Sequence, residues 1–123
     1  MLAALFLAGC NGGAIDRQDL TKNSDTLDSI SCEAMLVAQG VARGRITATF
    51  TREQAAVLRV QTSNEADAFA RRPAAPGLER PARALSKRAA RLAALLQRLH
   101  DHPGDGAVGL ELEGAFKKFG KCK

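Results

Sequence analysis

Two short stretches of the chain alternate apolar and polar positions, a pattern typical of half-buried β-strands. They are RITATFT at residues 45–51 and AVGLELE at 107–113. The apolar residues at every second position, which this pattern predicts to face the core, are Ile46, Ala48, Phe50, Val108, Leu110 and Leu112. Both stretches are therefore predicted to be strands of one small sheet.

Residues 25–41 fit two patterns. Ser24 and Asp25 are suitable N-caps for a helix through DTLDSISCEAMLVAQ. The stretch CEAMLVAQG at 32–40 also alternates apolar positions as a strand does, and the glycines that follow it are typical of a turn. A hairpin of 32–40 with 45–51 is the first interpretation, and a helix followed by a strand is the second.

Two later segments predict helices. Thr51-Arg-Glu-Gln54 has the pattern of a capping box and opens a predicted helix over 52–70. RRPAAPGLERP at 71–81 holds three prolines and one glycine, which end that helix. ARALSKRAARLAALLQRLH at 82–100 is rich in strong helix formers, and its leucines cover about one third of the helix circumference.

Together these elements predict an α+β fold, with a small antiparallel sheet of about three strands packed by one or two helices. The chain has 123 residues, which is about the size of one domain. We expect 1–9 to be a signal segment, 10–24 to be a lipidated tether and 25–123 to form a single small globular domain.

The excess positive charge is concentrated in one segment. The formal net charge is +5, and residues 71–100 alone hold eight basic side chains against one acidic. The residues predicted to contact an anionic surface or partner are Arg80, Arg83, Lys87, Arg91 and Arg98. Such a surface favours anionic lipid or an acidic envelope protein over nucleic acid, because no aromatic residue interleaves the basic ones. A solvated helix face is the simpler interpretation.

The first residues of the chain contain a short motif. The apolar run MLAALFLAG leads into Cys10, and Leu7-Ala8-Gly9-Cys10 resembles the lipobox of bacterial lipoproteins. The resemblance implies a diacylglyceryl group on the Cys10 sulfur, cleavage before Cys10, and two or three acyl chains that hold the protein in a membrane. It also implies the outer membrane, facing the periplasm, because Asn11 stands where an Asp would favour the inner membrane. No cofactor is expected beyond this covalent lipid.

The segment departs from secretory signals in one respect. Such signals open with positive charge, whereas the first basic residue here is Arg17. Either the start lies upstream or the motif is accidental. In the second case the chain is a basic cytoplasmic protein that uses a helix at 80–98 to bind nucleic acid or an acidic protein partner.

Two cysteines remain once Cys10 is assigned to lipid. An exported chain meets an oxidising compartment, where a pair of thiols usually forms a disulfide, so Cys32 and Cys122 are predicted to be bonded. The bridge would close nearly the whole domain. In the chain-entropy model, a loop of that size stabilises the fold by about 4–5 kcal/mol.

No motif for catalysis or metal binding is evident in the sequence. There is no nucleophile elbow, no P-loop, no dinucleotide fingerprint and no cysteine spacing that fits zinc. His100, Asp101, His102 and Asp105 cluster beside a Pro-Gly pair, where such residues are typical of a helix end. We therefore expect no metal and no enzyme activity. The expected function is that of a small lipid-anchored envelope protein with a binding, inhibitory or envelope-assembly role.

Overall fold

The computed structural model describes residues 13–122, which form a bundle of α-helices. The helices are α1 (Arg17–Ala42), α2 (Ala48–Ala70), α3 (Glu79–Asp101) and α4 (Gly106–Gly120). These residues contain no strand, and an isolated bridge between Ile15 and Ala74 is the only β-pairing among them. The predicted α+β fold with a three-stranded antiparallel sheet is therefore wrong.

The predicted strand at 32–40 is the middle of α1. Leu36, which a strand would place beside Ala34 and Ala38 on the inner face, is 60% exposed, whereas both alanines are fully buried. Buried apolar residues recur every three or four positions over this helix of 26 residues, at Leu27, Ile30, Ala34, Val37, Ala38 and Val41. A short run of apolar residues fits the period of a strand as well as that of a helix, but only a helix explains a repeat of this length.

The predicted strand at 45–51 is a loop followed by the first turn of α2. Thr47 is the N-cap, and its hydroxyl oxygen accepts a hydrogen bond from the backbone N–H of Phe50 at 3.1 Å. The capping box predicted at Thr51 lies one turn too late. Thr51 is fully buried, and its hydroxyl donates to the carbonyl oxygen of Thr47 at 3.0 Å. The predicted helix over 52–70 is confirmed as the body of α2.

The predicted strand at 107–113 lies within α4. Leu112 is fully buried, but Leu110, only two residues away, is 65% exposed. The Asp105 side chain caps this helix and accepts hydrogen bonds from the backbone N–H groups of Ala107 and Val108. The predicted helix over 82–100 is confirmed as α3, which begins at Glu79. Pro81 lies in the first turn, where its missing N–H has no helical acceptor.

The helices pack as two close pairs, α1 with α4 and α2 with α3. Glycines allow α4 to approach α1: a Cβ at Gly109 would lie 2.8 Å from the backbone nitrogen of Ala42. A Cβ at Gly120 would lie 2.9 Å from the carbonyl oxygen of Asp28. The core between the pairs contains the fully buried large side chains Leu27, Leu58, Leu92, Leu96, Leu99, Leu112 and Phe116.

A disulfide joins Cys32 in α1 to Cys122 after α4, which is the pairing predicted from the sequence. The two Cα atoms are 5.4 Å apart, and the cysteines are separated by 90 residues in the chain. The bridge ties the end of the α4 segment to the middle of α1. It therefore reinforces the packing of α4 against α1, which is closer than the packing of α3 against α1.

The residues before α1 are attached to the connector between α2 and α3. Ile15 is buried, its N–H donates to the carbonyl oxygen of Pro73 at 2.8 Å, and its carbonyl oxygen accepts from Ala75 at 2.9 Å. Arg72 donates to the carbonyl oxygen of Gly13 at 2.9 Å. Residues 13–15 are thus held by backbone and side-chain hydrogen bonds.

These attachments shorten the predicted tether at 10–24. Residues 17–24 are the first two turns of α1, and Asp16 caps that helix through a capping box with Asp19. The predicted signal segment at 1–9 and the predicted lipid-attachment residue Cys10 lie outside the described residues.

Candidate anion-binding surfaces

The five basic residues predicted as contacts all lie on α3, but they do not form one surface. Arg80, Arg83, Lys87 and Arg91 are exposed. Arg98 is half-buried and engaged with α4. Because a helix rises 1.5 Å per residue, the Cα atoms of Arg80 and Arg98 lie about 27 Å apart. The set divides into a group at the N-terminal end of α3 and a group beside α4.

The first group lies at the end of the bundle where residues 13–15 attach. Ile15, Arg72 and Arg83 line one groove there, with a volume of about 400 Å³. We call this end, with Arg71, Arg80 and Arg83 as its exposed cations, the basic end. Within residues 13–122, none of these three arginines has a carboxylate oxygen within 4.0 Å.

Arg72 differs from its neighbours because its charge is already paired. It forms an ion pair with Asp19 at 2.9 Å. The pKa of Asp19 lies below its ordinary value, first because its carboxylate accepts from the backbone N–H of Asp16, and second because of Arg72. Arg72 is therefore part of the attachment of residues 13–15. Glu79 also lines this groove, but the three exposed arginines outnumber it, so the basic end has a net positive charge.

A second and larger groove lies between α3 and α4, with a volume of about 620 Å³. We call it the α3–α4 groove. Its apolar surface comes from Leu95, Ala115 and Phe119, and its cations include Arg91 from α3 and Lys118 from α4. Within residues 13–122, neither Arg91 nor Lys118 has a carboxylate oxygen within 4.0 Å.

An ion pair between Arg98 and Glu111 lies at this groove. Both guanidinium NH groups of Arg98 donate to the Glu111 carboxylate, each at 2.7 Å. These hydrogen bonds from Arg98 lower the pKa of Glu111 and raise the pKa of Arg98. Glu111 is the acidic residue that lines the groove. Its charge is matched by Arg98, so the charge left over in the groove is positive.

Arg88 is a functional candidate that sequence reasoning missed. It donates to the hydroxyl of Ser24 at 3.2 Å and to the carbonyl oxygen of Phe119 at 2.7 Å, and it forms an ion pair with Asp28. On the helical wheel Arg88 lies beside the leucine stripe, one turn before Leu92, rather than on the basic face. Its position on the leucine side of the helix could have indicated that Arg88 lies between helices.

Lys118 and Gly114 were missed for a different reason. They lie directly after the stretch predicted as a strand at 107–113, and a strand there gives no reason to place them beside α3. Only the antiparallel packing of α4 against α3 brings them to Arg91. Lys87, in contrast, is exposed on α3 and lines neither groove.

In the His/Asp cluster at the end of α3, His100, Asp101 and Asp105 make local contacts. His100 Nδ1 lies 3.2 Å from the Asp101 carboxylate, and this contact is the main reason that the pKa of Asp101 is lowered. Asp105 caps α4. Among residues 13–122, no three His, Cys, Asp or Glu side chains are arranged so that they could hold a metal ion.

The chain matches no protein-family model, no curated protein and no solved structure. None of the helices within residues 13–122 combines the length and the apolar character needed to cross a membrane.

Proposed function

We propose that this protein is a lipid-anchored lipoprotein of the bacterial cell envelope, which contacts an anionic membrane surface through its basic end and has a non-catalytic binding role. One observation carries the proposal. Ile15, close to the motif at Cys10, and Arg83, in the basic segment, line the same groove. The point at which a lipid anchor would join the bundle thus coincides with exposed positive charge.

The length of chain between the anchor and the bundle supports this contact. Gly13 follows Cys10 by three residues, so their Cα atoms can be at most about 11 Å apart. A lipid on Cys10 would therefore keep Gly13 within roughly one Debye length of the headgroups. Each basic side chain near an anionic surface contributes about 1 kcal/mol of attraction. Arg80 and Arg83 would therefore each strengthen the contact with the headgroups.

The use of the three cysteines supports the same proposal. Lipid takes Cys10, and a disulfide in an oxidising compartment takes Cys32 and Cys122. No cysteine is then left over. Asn11 favours the outer membrane, with the bundle in the periplasm.

The anchor is tested by the intact mass of the N-terminal peptide, taken from protein expressed in a bacterium and extracted from its membranes. We expect a peptide that starts at Cys10 and carries added acyl mass. The matched variant Cys10→Ser should lose that mass and leave the membrane fraction. An unmodified peptide that starts at Met1 in the soluble fraction would overturn the proposal and favour the basic cytoplasmic protein that binds nucleic acid or an acidic partner.

The membrane contact is tested separately, by sedimentation of the Cys10→Ser chain with vesicles of phosphatidylglycerol at low salt. The double variant Arg80→Gln/Arg83→Gln should bind about thirtyfold more weakly, because it removes two cations that each contribute about 1 kcal/mol at the basic end. The control Arg52→Gln/Arg59→Gln removes the same charge from exposed positions on α2, outside both grooves, and should bind like the parent. An equal loss in both variants would show that net charge alone attracts the vesicles, and would contradict a specific role for the basic end.

A further inference from the structure

The geometry points to a binding site for a single-chain anionic lipid in the α3–α4 groove, with its headgroup between Arg91 and Lys118 and its hydrocarbon chain on Leu95, Ala115 and Phe119. This site is independent of the proposed function. It lies on the side of the bundle, and it uses residues that the basic end does not.

The two cations are the first argument. Arg91 and Lys118 belong to different helices and line the same groove. Neither is paired with a carboxylate within 4.0 Å among the described residues. Like charges that approach across a groove repel each other, and an anion placed between them relieves that repulsion. Arginine and lysine are both suited to phosphate and carboxylate oxygens.

Gly114 is the second argument, and it is independent of charge. A glycine inside a helix destabilises it relative to alanine, so it usually has a packing reason. Gly109 and Gly120 have one, because a Cβ at either position would strike α1. A Cβ at Gly114 would meet nothing within 4 Å, and Gly114 lines the α3–α4 groove. A side chain at Gly114 would therefore enter open space in the groove that the chain itself does not fill.

The surface and size of the groove decide the class of ligand. Leu95, Ala115 and Phe119 are half-buried and present apolar surface next to the cations. Inorganic phosphate would satisfy the cations but leave this surface in water. A volume of about 620 Å³ is within the range of small-ligand pockets. A stable protein–protein interface uses roughly 20–30 residues from each partner, far more than line this groove.

The test is calorimetric titration of the full chain carrying Cys10→Ser, at probe concentrations below micelle formation. The probe is monododecyl phosphate, which has both an anionic head and a chain. Inorganic phosphate supplies the head alone, and dodecyl maltoside supplies the chain with an uncharged head. We expect saturable binding of monododecyl phosphate, with the amide NMR signals of Gly114 and Phe119 among the most shifted. Both control compounds should bind at least tenfold more weakly, because dodecyl maltoside lacks the charged hydrogen bonds and inorganic phosphate lacks the apolar chain.

Variants locate the site. Arg91→Gln/Lys118→Gln should weaken binding of monododecyl phosphate by about tenfold or more, because both charged donors are lost. Arg52→Gln/Arg59→Gln, with the same change of net charge at exposed positions on α2, should bind like the parent. Gly114→Leu should abolish binding by filling the groove. Gly114→Ala should weaken binding and yet raise the melting temperature by a few degrees, since alanine is the better helix former.

Three results would overturn the site. One is equal binding of dodecyl maltoside and monododecyl phosphate. Another is unchanged binding in Gly114→Leu or in Arg91→Gln/Lys118→Gln, with helical circular dichroism showing that each variant is folded. The third is the absence of saturable binding below the micelle concentration. Loss of vesicle sedimentation in Arg80→Gln/Arg83→Gln bears only on the membrane contact, so the two proposals fail separately.

Discussion

The guanidinium carbon of Arg88 on α3 lies 4.6 Å from the centre of the Phe119 ring on α4. The same guanidinium donates to the carbonyl oxygen of Phe119 at 2.7 Å and pairs with Asp28 on α1. One side chain therefore joins three helices, although α3 and α4 have the sparsest contacts of the packed helix pairs. It also holds the ring that forms part of the α3–α4 groove.

Arg88→Lys should lower the free energy of unfolding by about 2 kcal/mol, because an ammonium cannot keep the ring contact and all of these hydrogen bonds at once. Urea denaturation followed by circular dichroism measures the change. The control is Arg91→Lys one turn later, which is exposed and should stay within about 0.5 kcal/mol of the parent. Equal stability of the two variants would contradict the joining role of Arg88.

Leu110 and Leu112 should respond very differently to truncation. Leu112→Ala removes a fully buried side chain and should cost about 2–5 kcal/mol of unfolding free energy. Leu110→Ala removes a side chain that is 65% exposed, and should change stability by less than about 0.5 kcal/mol. If the two variants lost the same amount, the strand predicted at 107–113 would describe this segment better than α4 does.

The disulfide should contribute a large share of the stability. Cys32→Ser/Cys122→Ser opens a loop of 90 residues, which by chain entropy should lower the free energy of unfolding by about 4–5 kcal/mol. A domain of this size has only about 5–15 kcal/mol in total, so the melting temperature should fall sharply. Cys10→Ser is the matched control and should melt like the parent. Identical melting of the parent with and without a reductant would argue against the bridge.

The ion pair of Glu111 with Arg98 should be visible in a pH titration. The pKa of Glu111 is lowered in the folded state, so its contribution to stability is present above the pKa of the unfolded chain and is lost as the pH falls through the folded pKa. Titration of the carboxyl carbon by NMR should show this lowered pKa, and Arg98→Gln should return it towards its ordinary value. Arg83→Gln, far along α3, should leave the pKa of Glu111 where it is.

Local patterns were sufficient for part of this fold. The leucine stripe and strong helix formers at 82–100 predict α3, since five leucines at helical spacing are incompatible with a strand. The count of cysteines, once Cys10 is assigned to lipid, leaves Cys32 and Cys122 as partners. These predictions need no knowledge of tertiary contacts, because chain composition and periodicity over about five turns determine them.

The short stretches were ambiguous because alternation over seven residues fits two structures. Leu110 and Phe50 are apolar and exposed, and they completed the false alternation at 107–113 and 45–51. Alanine and glycine are small enough to fit on either face of an element. The sequence therefore does not show whether they face the core, and only the packing of a neighbouring element decides it. Gly109 is such a case, since this position, at which α4 packs on α1, lies inside the stretch predicted as a strand.

The sequence by itself determined the lipobox-like motif, the basic segment, the cysteine pair and the two central helices, because each is a property of neighbouring residues. Only the tertiary structure decided that Arg83 and Ile15 line one groove, and that Arg91 and Lys118 line another. The physical reason is that helix packing brings together residues far apart in the chain. Here the close approach of α4 to α1, which Gly109 and Gly120 permit, sets the position of α4 beside α3.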